Sequence, residues 1–369
     1  MTAQSTTRPA VYRSHSLTAG RLPKLIDLWV LLGALAVSAV VFAATGDFAT
    51  YLGGWLVVAA VLYLVGIGTL SGIVEGRRKG TDRVVRGLVT VAFVLAVVPL
   101  VSTLWTVIAN GATTLTPDFV FGVEHSEFDR ETFETVTIGG ILPAIVGTLI
   151  ITGIAAVISI PVGLLTAVWL TEYALPTNPV RRIVTFLVDV MTGIPSIVAG
   201  LFAFSLFTLI QGPGAFSGLS AAVALCVLMI PTMVRSSEEM IRLVPLELRE
   251  ASFALGVTKW RTILKVVLRT SIAGLVTGAV LAIARVIGET APIYIAAGYT
   301  AHLNADPVDG PMSTLAVVSY NGYAFPDLSQ PELSHAEAWG SALLLIILVV
   351  VLNLVARIVA ALFAPKARR

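Results

Sequence analysis

One arginine and one glutamate lie within a long, mainly apolar stretch of the sequence, residues 271–299. Arg285 and Glu289 are four residues apart, so a continuous helix brings them onto one face, where they can form an ion pair. The arginine side chain offers a planar fork of donors that matches the oxygens of a phosphate-like anion. The pair and the adjacent Thr290 therefore predict a pathway for an anion, or alternatively a structural ion pair that ties this helix to its neighbours.

The composition indicates that this stretch lies in a membrane. Of the 369 residues, 56% are hydrophobic and only 12% are charged, whereas soluble domains carry about 25% charged residues. Near the middle of a membrane an arginine costs at least about 2.5 kcal/mol, so such a residue usually has a functional role. Arg285 lies near the middle of its stretch, which supports the anion interpretation.

Several kinds of site are excluded by the composition. The single cysteine, Cys226, lies in an apolar stretch, so neither a disulfide within the chain nor a Cys/His metal cluster is expected. The four histidines are scattered over polar segments, and no nucleophile–base constellation is visible. The sequence also lacks the GxxxxGK[ST] motif that cradles nucleotide phosphates. We therefore expect no catalytic residue, no metal and no cofactor bound by this chain.

Eight stretches are long and apolar enough to cross a membrane, because a spanning helix needs about 20 mainly apolar residues. Uninterrupted runs of helix length favour helices over the short alternating segments of a barrel. The sequence therefore predicts an all-α, polytopic membrane protein with about eight transmembrane helices. The predicted spans are 27–45, 51–74, 84–109, 140–171, 183–210, 218–235, 271–299 and 338–363.

Lysine and arginine residues concentrate in alternate linkers, which predicts the orientation of the chain. They are frequent in both tails and in the linkers 75–86, 172–182 and 235–270, and nearly absent from the other linkers. This alternation predicts eight spans with both termini in the cytoplasm, and we expect the membrane to be the plasma membrane. The N-terminal tail has no early apolar region followed by a cleavage pattern, so we expect no signal peptide.

These patterns divide the chain into five regions. Residues 1–26 and 364–369 are basic cytoplasmic tails, and 27–110 form accessory transmembrane helices without internal charge. Residues 111–139 form an extracytoplasmic acidic loop, which either touches an extracytoplasmic partner or is simply solvated. Its Thr-Pro and Phe-Gly pairs predict turns or a short hairpin. Residues 140–363 form the mechanical core, which includes the cytoplasmic loop 236–270.

The fifth predicted span combines residues that disturb a helix. Proline removes a helical hydrogen bond, and glycine allows backbones to approach closely. Gly193, Pro195 and Ser196 therefore predict either a helix opening that exposes polar groups to a pathway, or an ordinary kink. Earlier in the same span, Asp189 is expected to pair with a basic neighbour such as Arg182.

The cytoplasmic loop contains a short helix with clear boundaries. Pro245 fits the first helical position, and Gly256 fits the position just after a helix end. Leu248, Ala251 and Leu255 recur at helical spacing on one face. Thr258 can cap a second helix that leads to the membrane. Such a helix either docks in a cleft of another protein or rests on lipid headgroups.

The same loop resembles the signature loop of ABC importer permeases. The matching residues are Glu250, Ala251, Gly256 and Leu268. Ser252 and Val266 are conservative replacements for the usual alanine and isoleucine, while Arg269 stands where proline is usual. In that family the loop forms the coupling helix, which docks into a cytoplasmic ATPase subunit. The resemblance therefore implies docking through Glu250, Ala251, Ser252 and Gly256, with ATP bound by the partner subunit.

Three further segments resemble the permeases of the phosphate importer, of the PstA type. They are GIPSIVAGLFAF at 193–204, VPLELREASFALG around the loop, and LAIARVIGETAP around Arg285. The resemblance covers about 140–363 and implies a type I permease core of five to six helices. It also implies phosphate as cargo, a second related permease and an extracytoplasmic phosphate-binding protein. The alternatives are an importer of another oxyanion or small solute, an ATP-independent carrier, and a membrane scaffold.

Overall fold

A computed structural model describes residues 22–23, 25–44, 52–129 and 134–363. The chain divides into two compact units, Met1–Leu104 and Trp105–Arg369. The α-helices are α1 (Ile26–Ala44), α2 (Leu52–Val74), α3 (Arg77–Gly111), α4 (Pro117–Phe121), α5 (Leu142–Val168), α6 (Pro179–Thr192), α7 (Ser196–Gln211), α8 (Gly218–Arg242), α9 (Leu246–Ala254), α10 (Lys259–Thr262), α11 (Leu268–Val286), α12 (Ala291–Ala297), α13 (Leu315–Ala324) and α14 (Pro331–Phe363). Two π-helical turns, π1 (Trp169–Tyr173) and π2 (Ile263–Val267), continue α5 and precede α11.

Within the described residues, seven helices are long and apolar enough to cross a membrane. An eighth span results if α6 and α7 together count as one. The predicted polytopic helical architecture is therefore confirmed. The predicted loop before α5 contains the short α4 and a two-stranded hairpin, in which Val123–Asp129 (β1) pairs antiparallel with Glu134–Ile141 (β2).

Two predicted spans differ from the structure. The stretch 183–210 is two helices, α6 and α7, which meet at an angle of 106°. The stretch 271–299 breaks after Val286, and the short helix α12 begins only at Ala291. Both breaks precede a proline, Pro195 and Pro292, whose missing N–H and ring geometry favour the start of a new helix over the interior of an old one.

The N-terminal unit is held by side-chain contacts at the ends of its helices. Ser38 on α1 donates to the carbonyl oxygen of Trp55 on α2 at 2.8 Å. Arg83 binds Asp27 at 2.9 Å and Glu75 at 3.0 Å, which fixes the start of α3 beside its neighbours. Most other residues of these three helices are exposed, as expected of helices that face lipid.

The C-terminal unit is built around α8. About two thirds of its spanning window is buried inside the protein, compared with a third or less for the other candidate spans. Small residues allow helices to pack closely here: a Cβ on Gly163 of α5 would lie 2.7 Å from Met233, and one on Gly278 of α11 would lie 2.2 Å from Ser236. Since both partners belong to α8, this helix fixes the positions of α5 and α11.

Candidate coupling loop and anion pathway

The loop between α8 and α11 contains α9, which ends in a Schellman motif. The N–H of Gly256 donates to the carbonyl oxygen of Phe253 at 2.9 Å, and the N–H of Val257 donates to that of Ser252 at 3.2 Å. Gly256 has φ +74°, a left-handed conformation that glycine adopts without strain. A Cβ at this position would meet no atom of the protein within 4 Å. The sharp end of α9 therefore depends on the backbone of Gly256 and not on surrounding side chains.

The start of each short helix differs slightly from the prediction. Pro245 occupies the N-cap position of α9, one residue before the first helical residue, Leu246. Thr258 occupies the N-cap of α10 as expected, but its side chain makes no capping hydrogen bond. Its carbonyl oxygen instead accepts from the N–H of Thr262 at 3.0 Å.

The four loop residues singled out in the sequence lie on different sides of α9. Glu250, Ala251 and Gly256 are exposed, whereas Ser252 is buried. The hydroxyl groups of Ser252 and Thr262 are 2.8 Å apart, so they hydrogen-bond to each other inside the loop. Ser252 therefore joins α9 to α10, and only the other three residues face outward.

Large apolar side chains are exposed on two sides of α9. The side chains of Leu248 and Leu255, predicted to share a face, are 43% and 82% exposed, and Leu246 and Phe253 are also exposed. Leu248 and Leu255 share one side, and Leu246 and Phe253 share the other, so α9 offers apolar surface for contact with protein or membrane on both sides.

Helix α9 is held to the rest of the permease by Arg249. This arginine binds Glu172 of π1 through Nη2 at 2.9 Å and through Nε at 3.2 Å. It also donates to the carbonyl oxygens of Val244 at 2.6 Å and Ile241 at 3.0 Å. This pair was not predicted from the sequence, because its members are 77 residues apart and no short pattern links Arg249 to Glu172.

The structure corrects the predicted ion pair at the anion pathway. Arg285 lies in the last turn of α11 with an exposed side chain, and its Nη1 donates to Thr232 Oγ1 of α8 at 3.2 Å. In the described part of the chain no ion pair joins it to Glu289. The reason is the helix break at 287–290, which removes Glu289 and Thr290 from the helical register that would have placed Glu289 beside Arg285. Both residues are half-buried.

A second charged group lies one turn further along α8. Arg235 binds Asp189 of α6 and, at 2.8 Å, Glu238 of its own helix, while Glu238 also binds Arg242. The prediction that Asp189 pairs with a basic neighbour is confirmed, but the partner is Arg235 of the neighbouring helix and not Arg182, which was given as the example. Gly193 and Pro195 lie between α6 and α7, and Ser196 begins α7.

A cavity of about 320 Å³ lies at the opposite end of this unit and is lined by Glu124, Tyr299 and Glu337 among others. Burial, together with the two carboxylates, raises the pKa of Tyr299 to about 12. No group of three or more His, Cys, Asp or Glu side chains within the described residues has an arrangement that could hold a metal ion.

Comparison with known proteins identifies the family. Residues 159–369 match the family model described as binding-protein-dependent transport system inner membrane component. "Phosphate transport system permease protein PstA 1" of Mycobacterium tuberculosis is 44% identical over 290 residues, which cover 77% of this chain and 90% of the relative. The chain belongs to the transport permeases of the PstA type. The PstA permease of Xylella fastidiosa is 36% identical to this permease over 236 residues, covering 64% and 80% of the two chains.

A solved structure shows the same fold. The permease superimposes with a TM-score of 0.51 on a chain of a bacterial ABC transporter involved in the import of the acidic polysaccharide alginate. The match covers 76% of this chain and 97% of that chain at 14% identity. The predicted fold, a multi-pass membrane protein with an ABC permease core, is therefore confirmed.

Proposed function

We propose that this permease is the transmembrane subunit of an ABC importer that moves inorganic phosphate across the plasma membrane. ATP is bound and hydrolysed by separate cytoplasmic ATPase subunits. Relatives named as phosphate transport permeases share up to 44% identity with most of the chain, which supports this cargo. The remaining parts of the assembly are a second, related permease and an extracytoplasmic phosphate-binding protein.

The exposed guanidinium of Arg285 is the observation that carries the proposal for the cargo. A carboxylate partner would neutralise it, but the contact described is a single hydrogen bond to the uncharged Thr232. Because no carboxylate of the described residues neutralises it, the guanidinium retains its charge and most of its N–H donors for an incoming oxyanion. In a twofold arrangement of two permeases, a second arginine would supply another donor fork to the same anion.

The exposed face of α9 provides the contact with the ATPase subunit in this proposal. Glu250, Ala251 and Gly256 border an apolar surface, and Arg249 and Ser252 fix that surface to the rest of the permease. Closure of the ATPase subunits on ATP pushes α9, and the spans repack to open the pathway on the other side. The break between Gly193 and Ser196 lets α6 and α7 move separately.

The orientation follows from the basic linkers. When the bent pair α6 and α7 counts as one span, the described residues contain eight candidate spans, and this number puts all basic linkers on the same side of the membrane. This side is the cytoplasm by the positive-inside rule, which places both termini and the loop 236–270 there.

Uptake by a strain that lacks its own phosphate importer tests the proposal. We expect the permease, expressed with its partner subunits, to restore uptake of phosphate but not of sulfate or molybdate. Arg285→Gln should abolish this uptake while the ATPase subunits still co-purify, and Arg182→Gln, at another exposed arginine, should not. Equal restoration of sulfate uptake would refute phosphate as the cargo. A gently solubilised complex without any ATPase subunit would favour a carrier or a scaffold.

A further inference from the structure

Arg249 and Glu172 form a contact between α9 and the end of α5. Their side chains are only 15% and 11% exposed, so water solvates neither charge well. Both the Nε and the Nη2 of the arginine reach the same carboxylate oxygen, Oε1. A partly buried charge pair that loses one hydrogen-bonded partner leaves the other charge uncompensated, so the two groups resist separation.

The same arginine is anchored to a third helix. Its Nη2 donates to the carbonyl oxygen of Ile241 in the last turn of α8, and its Nη1 donates to that of Val244, two residues after the helix ends. One side chain therefore joins the coupling helix α9, the end of α8 and the end of α5.

Glu172 belongs to π1, where the helix is wider than an α-helix. The N–H of Ala174 donates to the carbonyl oxygen of Trp169, five residues earlier, at 2.8 Å. The neighbouring Tyr173 makes a second contact with the loop, since Lys259 Nζ of α10 lies 5.0 Å from the centre of its ring. Isolated π-helical turns are frequent at functional sites. Here the turn presents both side chains to the coupling loop.

The covalent chain connects α9 directly to only two helices. The residues before it continue α8, and the residues after it lead through α10 into α11. Helix α5 is distant in sequence and contacts α9 through the Arg249–Glu172 pair. A displacement of α9 can reach α5 at this point without first passing along α11.

We propose that Arg249 and Glu172 are positioning residues for transport, which clamp α9 to α5 so that the push of the ATPase subunit moves both together. This inference rests on the proposed function of α9 as the coupling helix. Without the clamp, ATP hydrolysis continues but moves α5 less effectively. The clamp therefore determines how many anions are transported for each ATP hydrolysed.

The test measures phosphate uptake and ATP hydrolysis by the complete complex, with its ATPase subunits and binding protein, in proteoliposomes. We expect Glu172→Gln and Arg249→Lys to keep assembly and hydrolysis while the ratio of phosphate to ATP falls about tenfold, within the usual range of coupling between sites. The control Arg182→Met removes an exposed arginine of the same unit and should leave this ratio unchanged.

A double variant distinguishes a clamp, which makes α9 and α5 move together, from a charge pair that only stabilises the fold. Glu172→Leu combined with Arg249→Met leaves no unpaired charge, so we expect it to restore thermal stability and assembly. The ratio of phosphate to ATP should remain low, because the apolar pair makes no fixed contact with the carbonyl oxygens of α8. A normal ratio in this double variant would overturn the clamp, as would a normal ratio in intact Glu172→Gln complexes.

The wild-type complex distinguishes this inference from the proposed function. If it hydrolyses ATP and transports phosphate but the clamp variants keep a normal ratio, only the clamp is wrong. If the wild-type complex shows no ATP-dependent transport of phosphate, the proposed function itself fails.

Discussion

Substitution of Gly256 distinguishes the two ways in which this residue can matter for coupling. Its backbone has φ +74°, and a Cβ would meet no atom of the permease within 4 Å. A side chain here can therefore act by straining the end of α9 or by meeting the ATPase subunit. Alanine and asparagine separate these effects, because asparagine tolerates the left-handed conformation better than alanine but is larger.

The expected loss of stability follows from the backbone conformation of Gly256. A residue with a Cβ costs about 1–2 kcal/mol in the left-handed region. This cost lowers the population of the Schellman-capped end about 5- to 30-fold relative to alternative loop conformations. We expect Gly256→Ala to lower the melting temperature of the isolated permease and Gly256→Asn to lower it less, since no permease atom opposes either side chain.

For ATP-dependent phosphate uptake we expect the two variants in the opposite order to their melting temperatures, with Gly256→Asn the more impaired. If the open space beside Gly256 is filled by the ATPase subunit, Gly256→Asn impairs uptake and co-purification at least as strongly as Gly256→Ala. Gly76 is a matched control, because it has φ +94°, has no atom within 4 Å of its Cβ position and lies outside the loop. The same changes there should not reduce uptake. Normal uptake by Gly256→Asn together with impaired uptake by Gly256→Ala would show that strain alone matters, and would refute docking at this residue.

Three further predictions concern stability. On α5, Gly163→Ala should destabilise the permease by about 1–3 kcal/mol, because its Cβ has no room. Gly153→Ala on the same helix, with no atom within 4 Å of its Cβ position, should not destabilise it, and thermal unfolding in detergent measures both variants. Ser252→Ala should cost about 1–3 kcal/mol by leaving the Thr262 hydroxyl unpaired, and adding Thr262→Val should recover most of the loss; a normal melting temperature for Ser252→Ala would contradict the hydrogen bond. The raised pKa of Tyr299 favours its neutral phenol in the folded protein, so its contribution to stability is complete below pH 10 and is lost as the pH rises through about 12. Spectrophotometric titration of wild type against Tyr299→Phe should show this group ionising near pH 12, and ionisation near pH 10 would contradict the raised value.

Hydropathy predicted where helices lie but not where they bend. Each of the stretches 183–210 and 271–299 is apolar enough on average to be taken as one span, because hydropathy averaged over a span does not register the few residues at a break, such as Gly193–Ser196 and Gly288–Thr290. Pro195 and Pro292 were signals in the sequence that a helix could break there. Pro161 and Pro231, however, lie inside the continuous helices α5 and α8. A proline alone therefore does not distinguish a break from an accommodated kink.

The candidate site was predictable where it depends on local sequence. The bounds of α9 and the glycine that ends it follow from residues a few positions apart. The pairs Arg249–Glu172 and Arg235–Asp189 could not be predicted in this way, since their members come from different helices. Ser252 shows a further limit of prediction from the motif. Serine looks like a conservative replacement for alanine at this position, yet its hydroxyl forms a buried hydrogen bond with Thr262.

The end of α11, one residue after Arg285, affects how long an anion would stay there. The last carbonyl groups of a helix carry the equivalent of about half a negative charge, which acts within the final turn. An anion bound by Arg285 is therefore attracted by the guanidinium and repelled by the helix end. Conduction requires sites that are favourable enough to enter yet weak enough to leave. In the proposed pathway the helix break would therefore shorten the residence time of the cargo, which suits a site for passage and not for storage.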